Sequence, residues 1–460
     1  MYNFDLGRPA SVYFCGIGGV SMSGLALILK SRGFRVSGSD RAKSAVTENL
    51  EAQGIHVFYG QKKENITPDL DLMVFTAAIH PDNPEFVAAE AYGIPMMTRA
   101  ELLGLIMKDY ELPVAVSGTH GKTTTTSMLS EILLAQDTDP TLSVGGNLRS
   151  IGGNVRIGGP KYFVAEACEY TNSFLSMFPK YGIILDIDAD HLDFFKDLDD
   201  IRRSFRKFAE LLPADGALII HSDIERLAEI TEGLACRVFT YGNGADDDYQ
   251  VRSLTFDDHG HPSFVFHIKK SGKDVPVTLS VPGEHNAFNA CAALAAADLL
   301  GMDAAASAEA VGNYRGADRR FEILGEKDGV LIVDDYAHHP AEIRATLAAA
   351  QNTPHDRIFC VFQPHTYSRT KSLFEEFADA LSIADVVVLA DIYAARETDT
   401  LGVSSHLLAE RIREKGHPAC HDFRTFEEIE KFVLQNCRKG DLLITMGAGN
   451  VNTVAKDLLS

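Results

Sequence analysis

Basic residues are in short supply. In the 460-residue chain 43 Lys and Arg stand against 64 Asp and Glu, a formal net charge of −21. A surface of that sign excludes wrapping of nucleic acid or of an acidic membrane, both of which rest on clustered cations. Small anions stay possible where local positive charge opposes the whole. Cysteine is sparse and scattered: the seven, at 15, 168, 236, 291, 360, 420 and 437, form no C-x-x-C pair. That spacing excludes a disulfide framework and a paired-cysteine zinc site, and points to reduced thiols. No uncharged apolar run approaches the roughly 18–20 residues that span a bilayer. The first residues lack the basic-then-apolar pattern of a secretory leader. A cytoplasmic protein with neither nucleic-acid nor membrane partners is the expectation, as a monomer or weak homodimer. Linkers rich in Pro, Gly or Ser are missing, as is any fixed-period repeat, so the domains should be joined by short packed connections.

What is present is an ordinary globular composition, 45% apolar and 23% charged. At about 150 residues per domain the length suggests three domains or two large ones. A β-rich run, a glycine turn and a helical pattern recur in that order, which implies parallel sheets covered by helices. The first unit has a strand at 11–15, a helix at 21–32 and strands at 34–37 and 71–75. The second has a strand at 113–117, a Thr-rich helix running to 134, and strands at 162–165, 181–187 and 217–221. Alternating stretches at 251–254 and 262–268 look antiparallel, and an Ala-rich helix covers 287–300. The third has strands at 330–334, 357–362, 386–391 and 441–446 and a helix at 340–350. The fold class is therefore α/β in three domains: an N-terminal Rossmann-like domain (1–110), a central P-loop ATPase domain of mixed α/β type (111–316) and a C-terminal Rossmann-like domain (317–460).

Chemistry concentrates in the turns after these strands. Gly16, Gly18, Gly19 and Ser21 form an imperfect G-x-G-x-x-G turn, with Asp40 at the end of the next strand. This suits either a nucleotide or nucleotide-sugar diphosphate at a helix N-terminus, or a tight structural turn. The stretch Gly118, Thr119, His120, Gly121, Lys122, Thr123, Thr124 is a stronger signal. Its backbone N–H groups can cradle the phosphates of ATP, Lys122 can place a cation beside them, and the Thr123 hydroxyl can bind Mg²⁺. Carboxylates at Glu166 and Glu169, and at Asp188, Asp190 and Asp193 around His191, follow later strands and should converge on that loop. Asn286 opens the Ala-rich helix, either as a cap or as a reader of an adenine edge. Arg319 and Arg320 could supply a guanidinium to a phosphoryl group. DDYAHHP at 334–340 and QPHTYSRT at 363–370 are dense polar turns at the carboxyl edge of a third sheet.

In their order, GTHGKTTTT, DADHLD, PGEHNAFNA, RRFE, DDYAHHP and FQPHTYSRT resemble the ATP-dependent Mur ligases of peptidoglycan synthesis over essentially the whole chain. The resemblance implies an acid–amino-acid ligase, closest to the branch that joins L-alanine to UDP-N-acetylmuramate through an acyl phosphate. It implies that Lys122 holds the ATP phosphates, that Thr123 and Glu166 bind Mg²⁺, and that His191 binds a second Mg²⁺. Asn286 would contact adenine, Arg320 the phosphates and Asp335 the ribose. The N-terminal turn would take the UDP-sugar. His338, His365 and Arg369 would lie near the muramoyl substrate or the amino acid.

Five positions in three segments depart from the common family pattern. Cys168, Tyr170 and Thr171 stand within a segment that many members write E-A-D-E-S-D, Thr366 replaces an arginine, and Phe205 occupies the position of a carbamylated lysine in some relatives. The neighbouring branch that recycles tripeptides fits these segments less well. An NAD-dependent oxidoreductase leaves the lysine loop unexplained, and a nucleotide switch predicts hydrolysis that needs no acceptor.

Overall fold

The computed structural model describes residues 4–76, 79–192, 194–395, 397–398 and 401–460; Asp193 of the acidic cluster lies outside them. Three sheets follow one another along the chain. The first is all parallel, with β1 (Ser11–Cys15), β2 (Arg35–Asp40), β3 (His56–Tyr59), β4 (Leu72–Phe75) and β5 (Met96–Thr98) in the order 3-2-1-4-5. The order reverses direction beside β1, so the Gly16 turn sits at the crevice where open α/β sheets bind ligands.

The central sheet has ten strands: β6 (Leu112–Ser117), β7 (Thr141–Leu148), β8 (Gly153–Arg156), β9 (Tyr162–Glu166), β10 (Tyr181–Ile184), β11 (Ala217–His221), β12 (Arg237–Gly242), β13 (Tyr249–Phe256), β14 (Pro262–Ile268) and β15 (Lys273–Thr278). Their order is 15-14-13-12-11-10-6-9-7-8. β6 pairs in parallel with β9 and β10, so the loops leaving these three strands emerge at one edge. β13, β14 and β15 form the antiparallel extension that the alternating sequence predicted. β10 stops three residues short of the expected end, because the chain from Asp186 onward turns over the loop after β6: Asp186 accepts the His120 backbone N–H at 2.8 Å.

The third sheet joins β16 (Glu322–Lys327), β17 (Val330–Asp335), β18 (Ile358–Phe362), β19 (Val386–Ala390), β20 (Cys420–Phe423) and β21 (Leu442–Met446) in the order 16-17-21-18-19-20, antiparallel only at β16. All-parallel inner strands covered on both faces read as continuous apolar runs, as in Leu442–Met446, buried throughout.

The first and central sheets share one apolar cluster that runs from Phe14 and Ile28 to Phe163, Phe174 and Phe208. Gly104 makes this contact possible, since a Cβ there would overlap the Ser176 carbonyl. Phe205 belongs to the same cluster, edge-on to Phe174 at 5.3 Å between ring centroids. The third sheet has apolar clusters of its own and meets the central unit through polar groups: Arg369 with Asp190, Arg149 with Glu322, and His120 with Glu342. A polar interface of this kind is what domains that move relative to one another present. Among the described residues no helix is long and apolar enough to cross a membrane.

Candidate active site

β6 delivers the lysine loop. Gly118 and Gly121 have φ of 142° and 79°, values that carry little cost only without a Cβ, and a Cβ on Gly121 would also press on the Asn289 side chain. Helix Lys122–Ala135 starts directly behind, so its unpaired N–H groups and the positive end of its dipole face the loop. The Lys122 ammonium curls back over the loop, donating to the carbonyls of Gly118 (2.5 Å) and Thr119 (3.0 Å) and to Glu169 (3.0 Å). Burial opposes its charge, but Glu169 outweighs burial and holds the group above its ordinary range.

Glu166, the last residue of β9, reaches the same place. It accepts from the Thr123 hydroxyl at 3.2 Å and from the Gly145 N–H at 2.5 Å. A Cβ on Gly145 would overlap its carboxylate. Burial pushes the Glu166 carboxyl up despite these donors and Lys122, and Glu169 and Asp186 are raised the same way. The Thr123 hydroxyl and the Glu166 carboxylate are hard oxygen donors set side by side, the kind that suits Mg²⁺. His191 lies at the far end of the group, its Nε2 3.8 Å from Glu169 and 3.7 Å from Asp190.

A cavity of about 740 Å³ runs past these groups. Lys122, Thr123, Glu166 and His191 line it together with Arg320 and His338 from the C-terminal side and Val20 and Val46 from helices of the N-terminal unit. Val20, the first residue of the helix after the N-terminal turn, is the point at which that turn comes nearest to it in the chain. Asp40 is occupied in holding that turn, accepting from the N–H of Gly18 at 2.9 Å and of Arg41 at 2.7 Å. Gly16 has φ 82°, Gly19 precedes helix Val20–Ser31, and Ser21, in the place of the third glycine, accepts from Arg99 at 2.9 Å.

A second cavity, of about 330 Å³, lies between the central and C-terminal units and is lined by Tyr241, His285, Asn286, Phe288, Tyr314, Arg320 and Asp335, among others. Asn286 is not the helix cap, a place taken by Gly283. Its amide donates to the Pro282 carbonyl at 2.7 Å and accepts from Asn289 at 3.1 Å. Asp335 accepts the N–H groups of Phe321 and Ala337, both at 2.7 Å, and burial lifts its carboxyl to about 6. Tyr336 carries Arg320 over its ring at 5.4 Å.

A third cavity, of about 310 Å³, is lined by Tyr170, His191, His365, Arg369 and Glu397. Arg369 crosses to Asp190 at 3.1 Å, and its Nη1 lies 3.3 Å from His365 Nδ1. Thr366, where the resemblance led to arginine, caps the helix that carries Arg369 and holds φ 67°. Thr171, Asn172, His191, Arg319, Phe321 and Ala395 also have positive φ.

Of the sequence-based site residues, Lys122, Thr123, Glu166, His191, Arg320 and His338 line the large cavity, Asn286 and Asp335 the second and His365 and Arg369 the third, while Gly16, Gly18, Gly19, Ser21 and Asp40 line none of these three. Asp40 and Asp335 are engaged with backbone amides, Asn286 is bonded within its own helix turn, and Cys168 lines the large cavity with a thiol that burial pushes up to about 11. Two residues escaped the sequence reading: Asp186, which holds the loop at His120, and Glu342, which meets His120 from the C-terminal unit at 3.3 Å. Each acts across a long chain separation, and the only local signal was Glu342 at capping-box spacing after His339. His120, Asp188 and His339 also bring three ligand atoms within 4.8 Å of one another. His339, however, accepts the Ala341 N–H on Nδ1, which leaves Nε2 as a donor to the Ala189 carbonyl rather than a ligand.

Comparison with known proteins agrees with this layout. Family profiles match residues 11–111 (Mur ligase family, catalytic domain), 116–297 (Mur ligase middle domain) and 319–449 (Mur ligase, glutamate ligase domain). The chain is 57% identical over 459 residues to the UDP-N-acetylmuramate--L-alanine ligase of Agathobacter rectalis, and 56% identical over 460 residues to that of Lachnospira eligens, with 100% of each chain covered in both cases. The solved UDP-N-acetylmuramate-alanine ligase of Thermotoga maritima is similar at a TM-score of 0.81 and 28% identity, over 98% of each chain. A murein peptide ligase from Psychrobacter arcticus, at 24% identity and a TM-score of 0.75 over 98% of each chain, shares the fold.

Proposed function

The chain belongs to the Mur ligase family, and from that premise we infer that it joins L-alanine to the lactyl carboxylate of UDP-N-acetylmuramate at the expense of ATP, in the synthesis of peptidoglycan precursors. The observation that carries this reading is the large cavity: the phosphate loop with Lys122, the Thr123–Glu166 hydroxyl–carboxylate pair and two residues of the N-terminal unit, Val20 and Val46, line one space. Residues 1–110 would receive the UDP-sugar, 111–316 the ATP, and 317–460 would close over both.

In the reaction, a lactyl carboxylate oxygen attacks the terminal phosphorus of ATP, ADP leaves, and an acyl phosphate forms. The alanine amine then attacks the acyl carbon and phosphate departs with that oxygen, leaving an amide. Carboxylate and triphosphate repel each other, so the first step depends on positive charge fixed along the transfer line. Lys122 and Arg320 supply it. Mg²⁺, for which Thr123 and Glu166 offer oxygen donors and His191 a second position, adds charge neutralisation when bound. The smaller cavity at Asn286 is the place for adenine, with Asp335 towards the ribose. His338, His365 and Arg369 would face the muramoyl group and the amino acid, and seating of the C-terminal unit would keep water from the acyl phosphate.

Phosphate release in the presence of ATP and UDP-N-acetylmuramate, with each of L-alanine, L-serine, glycine and a tripeptide, tests the reading. Turnover strongest with L-alanine is the expected result. Preference for the tripeptide, or release without any amine, contradicts it.

A further inference from the structure

One partly buried carboxylate ties the C-terminal unit to the phosphate loop, and the chemistry above gives it no task. Glu342 sits in the first turn of helix Pro340–Gln351. Its Oε2 serves that helix, accepting the N–H groups of His338 at 3.0 Å and His339 at 3.2 Å, as a capping box does. Its Oε1 leaves the helix and lies 3.3 Å from His120 Nδ1 in the loop after β6. On its other side His120 is held by the central unit: its N–H donates to Asp186 at 2.8 Å and its Nε2 lies 3.5 Å from Asp188.

The imidazole thus stands between carboxylates of two units, hydrogen-bonded to Glu342 through Nδ1 and beside Asp188 only as a charge contact, since Nε2 makes no hydrogen bond. Burial works against its charge, but Asp188 and Glu342 outweigh burial and hold His120 well above the ordinary histidine range. For Glu342, burial is likewise outweighed by His338, His120 and Arg320, which hold its carboxyl well below the usual range. The helix cap uses only Oε2, so the Oε1 contact does nothing for the helix itself. The two units have separate apolar clusters, so polar contacts of this kind fix their register. The clasp is two residues from Lys122 in the chain.

We propose that Glu342 is a positioning residue whose pairing with His120 sets the register of the C-terminal unit on the phosphate loop, so that His338 and Arg369 face the substrates only when the loop is seated. The turnover arm of the test rests on the ligase reading.

Glu342→Gln keeps the size of the side chain and the helix cap, because glutamine also serves in a capping box, but removes the charge that pairs with His120. The expected result is a lower thermal midpoint, since the pairing also stabilises the fold, together with a kcat about tenfold lower, as for coupled ion pairs, and KM values for ATP and UDP-N-acetylmuramate close to those of the unsubstituted enzyme. A role confined to the helix cap would leave kcat unmoved. His120→Gln, which does not touch the cap, completes a double-mutant cycle: the double variant should lose no more than the worse single variant, whereas losses that multiply overturn the proposal. Hydrogen exchange at the amides of residues 118–121 in protein bound to a non-hydrolysable ATP analogue needs no turnover. Faster exchange in Glu342→Gln is expected and equal rates overturn the clasp, whichever acceptor the enzyme uses. An unsubstituted enzyme that releases no phosphate with L-alanine would remove the ligase reading and leave this arm standing.

Discussion

Glu169 lies across the Lys122 ammonium at 3.0 Å, with the carbonyls of Gly118 and Thr119 completing the cation's surroundings. The lysine of the phosphate loop is therefore held charged and close to the loop, and Glu169 extends the same group of charges to His191 at 3.8 Å. Pre-set charge of this kind costs no rearrangement at the moment of transfer.

Lys122→Met should lower kcat by about 10²–10³-fold, the loss typical of one transition-state donor, with KM for L-alanine little changed. Phosphate release at saturating substrates measures it. A kcat within a factor of two of the unsubstituted enzyme would mean that Lys122 does not serve the transfer.

Glu166→Gln removes the charge that would face Mg²⁺ beside Thr123. The Mg²⁺ concentration for half-maximal activity should rise by about 10–100-fold or more, since changes even to the residues behind metal ligands cost that much. Chelator should abolish phosphate release, and added Mg²⁺ should restore it. A Mg²⁺ titration that matches the unsubstituted enzyme would remove Glu166 from the metal site.

Two titrations act on stability in opposite senses. Burial depresses His338 to about 4 against the Glu342 charge beside it. The unfolded chain, with an ordinary histidine near 6.5, takes up a proton that the folded protein refuses. The stability this neutral group contributes is present above about 6.5 and is lost as pH falls towards about 4. Asp335, raised to about 6, does the reverse: its contribution is complete below the ordinary carboxyl value and is lost as pH rises through about 6. Thermal midpoints of His338→Gln should therefore fall less between pH 6.5 and 4.5 than those of the unsubstituted protein, and those of Asp335→Asn should fall less between pH 4.5 and 6.5. Parallel curves would contradict both assignments.

Much of this arrangement could be read from the chain before any coordinates. β1, β6 and β17 announce themselves because each is a buried apolar run stopped by glycine or acid, and the lysine loop because its phosphate-binding geometry is local. The strands β3, β5, β7, β8, β12, β15, β16 and β20 escaped notice: His56–Tyr59, for example, has one buried residue in four and carries no apolar run. Asp186 and Glu342 escaped for another reason. Their partners lie 66 and 222 residues away, and nothing in the neighbouring sequence marks a contact that only the meeting of two sheets creates. Asp40 was legible as a residue at the right place, but its engagement with the Gly18 amide follows from the turn's own shape.

Gly104→Ala probes the join between the first and central units. The added methyl would overlap the Ser176 carbonyl, and overpacking of this type costs about 1–3 kcal/mol. A lower thermal midpoint with little change in KM for ATP is the expected outcome. An unaltered midpoint would show that the two units tolerate separation there.

The central claim is that a carboxylate of the muramoyl substrate is activated by phosphoryl transfer at the Lys122 loop. The direct measurement uses UDP-N-acetylmuramate with both lactyl carboxylate oxygens labelled with ¹⁸O, turned over with ATP and L-alanine, and mass analysis of the released phosphate. One ¹⁸O in each phosphate is the predicted result. Phosphate free of label, with the amide formed, would contradict the account.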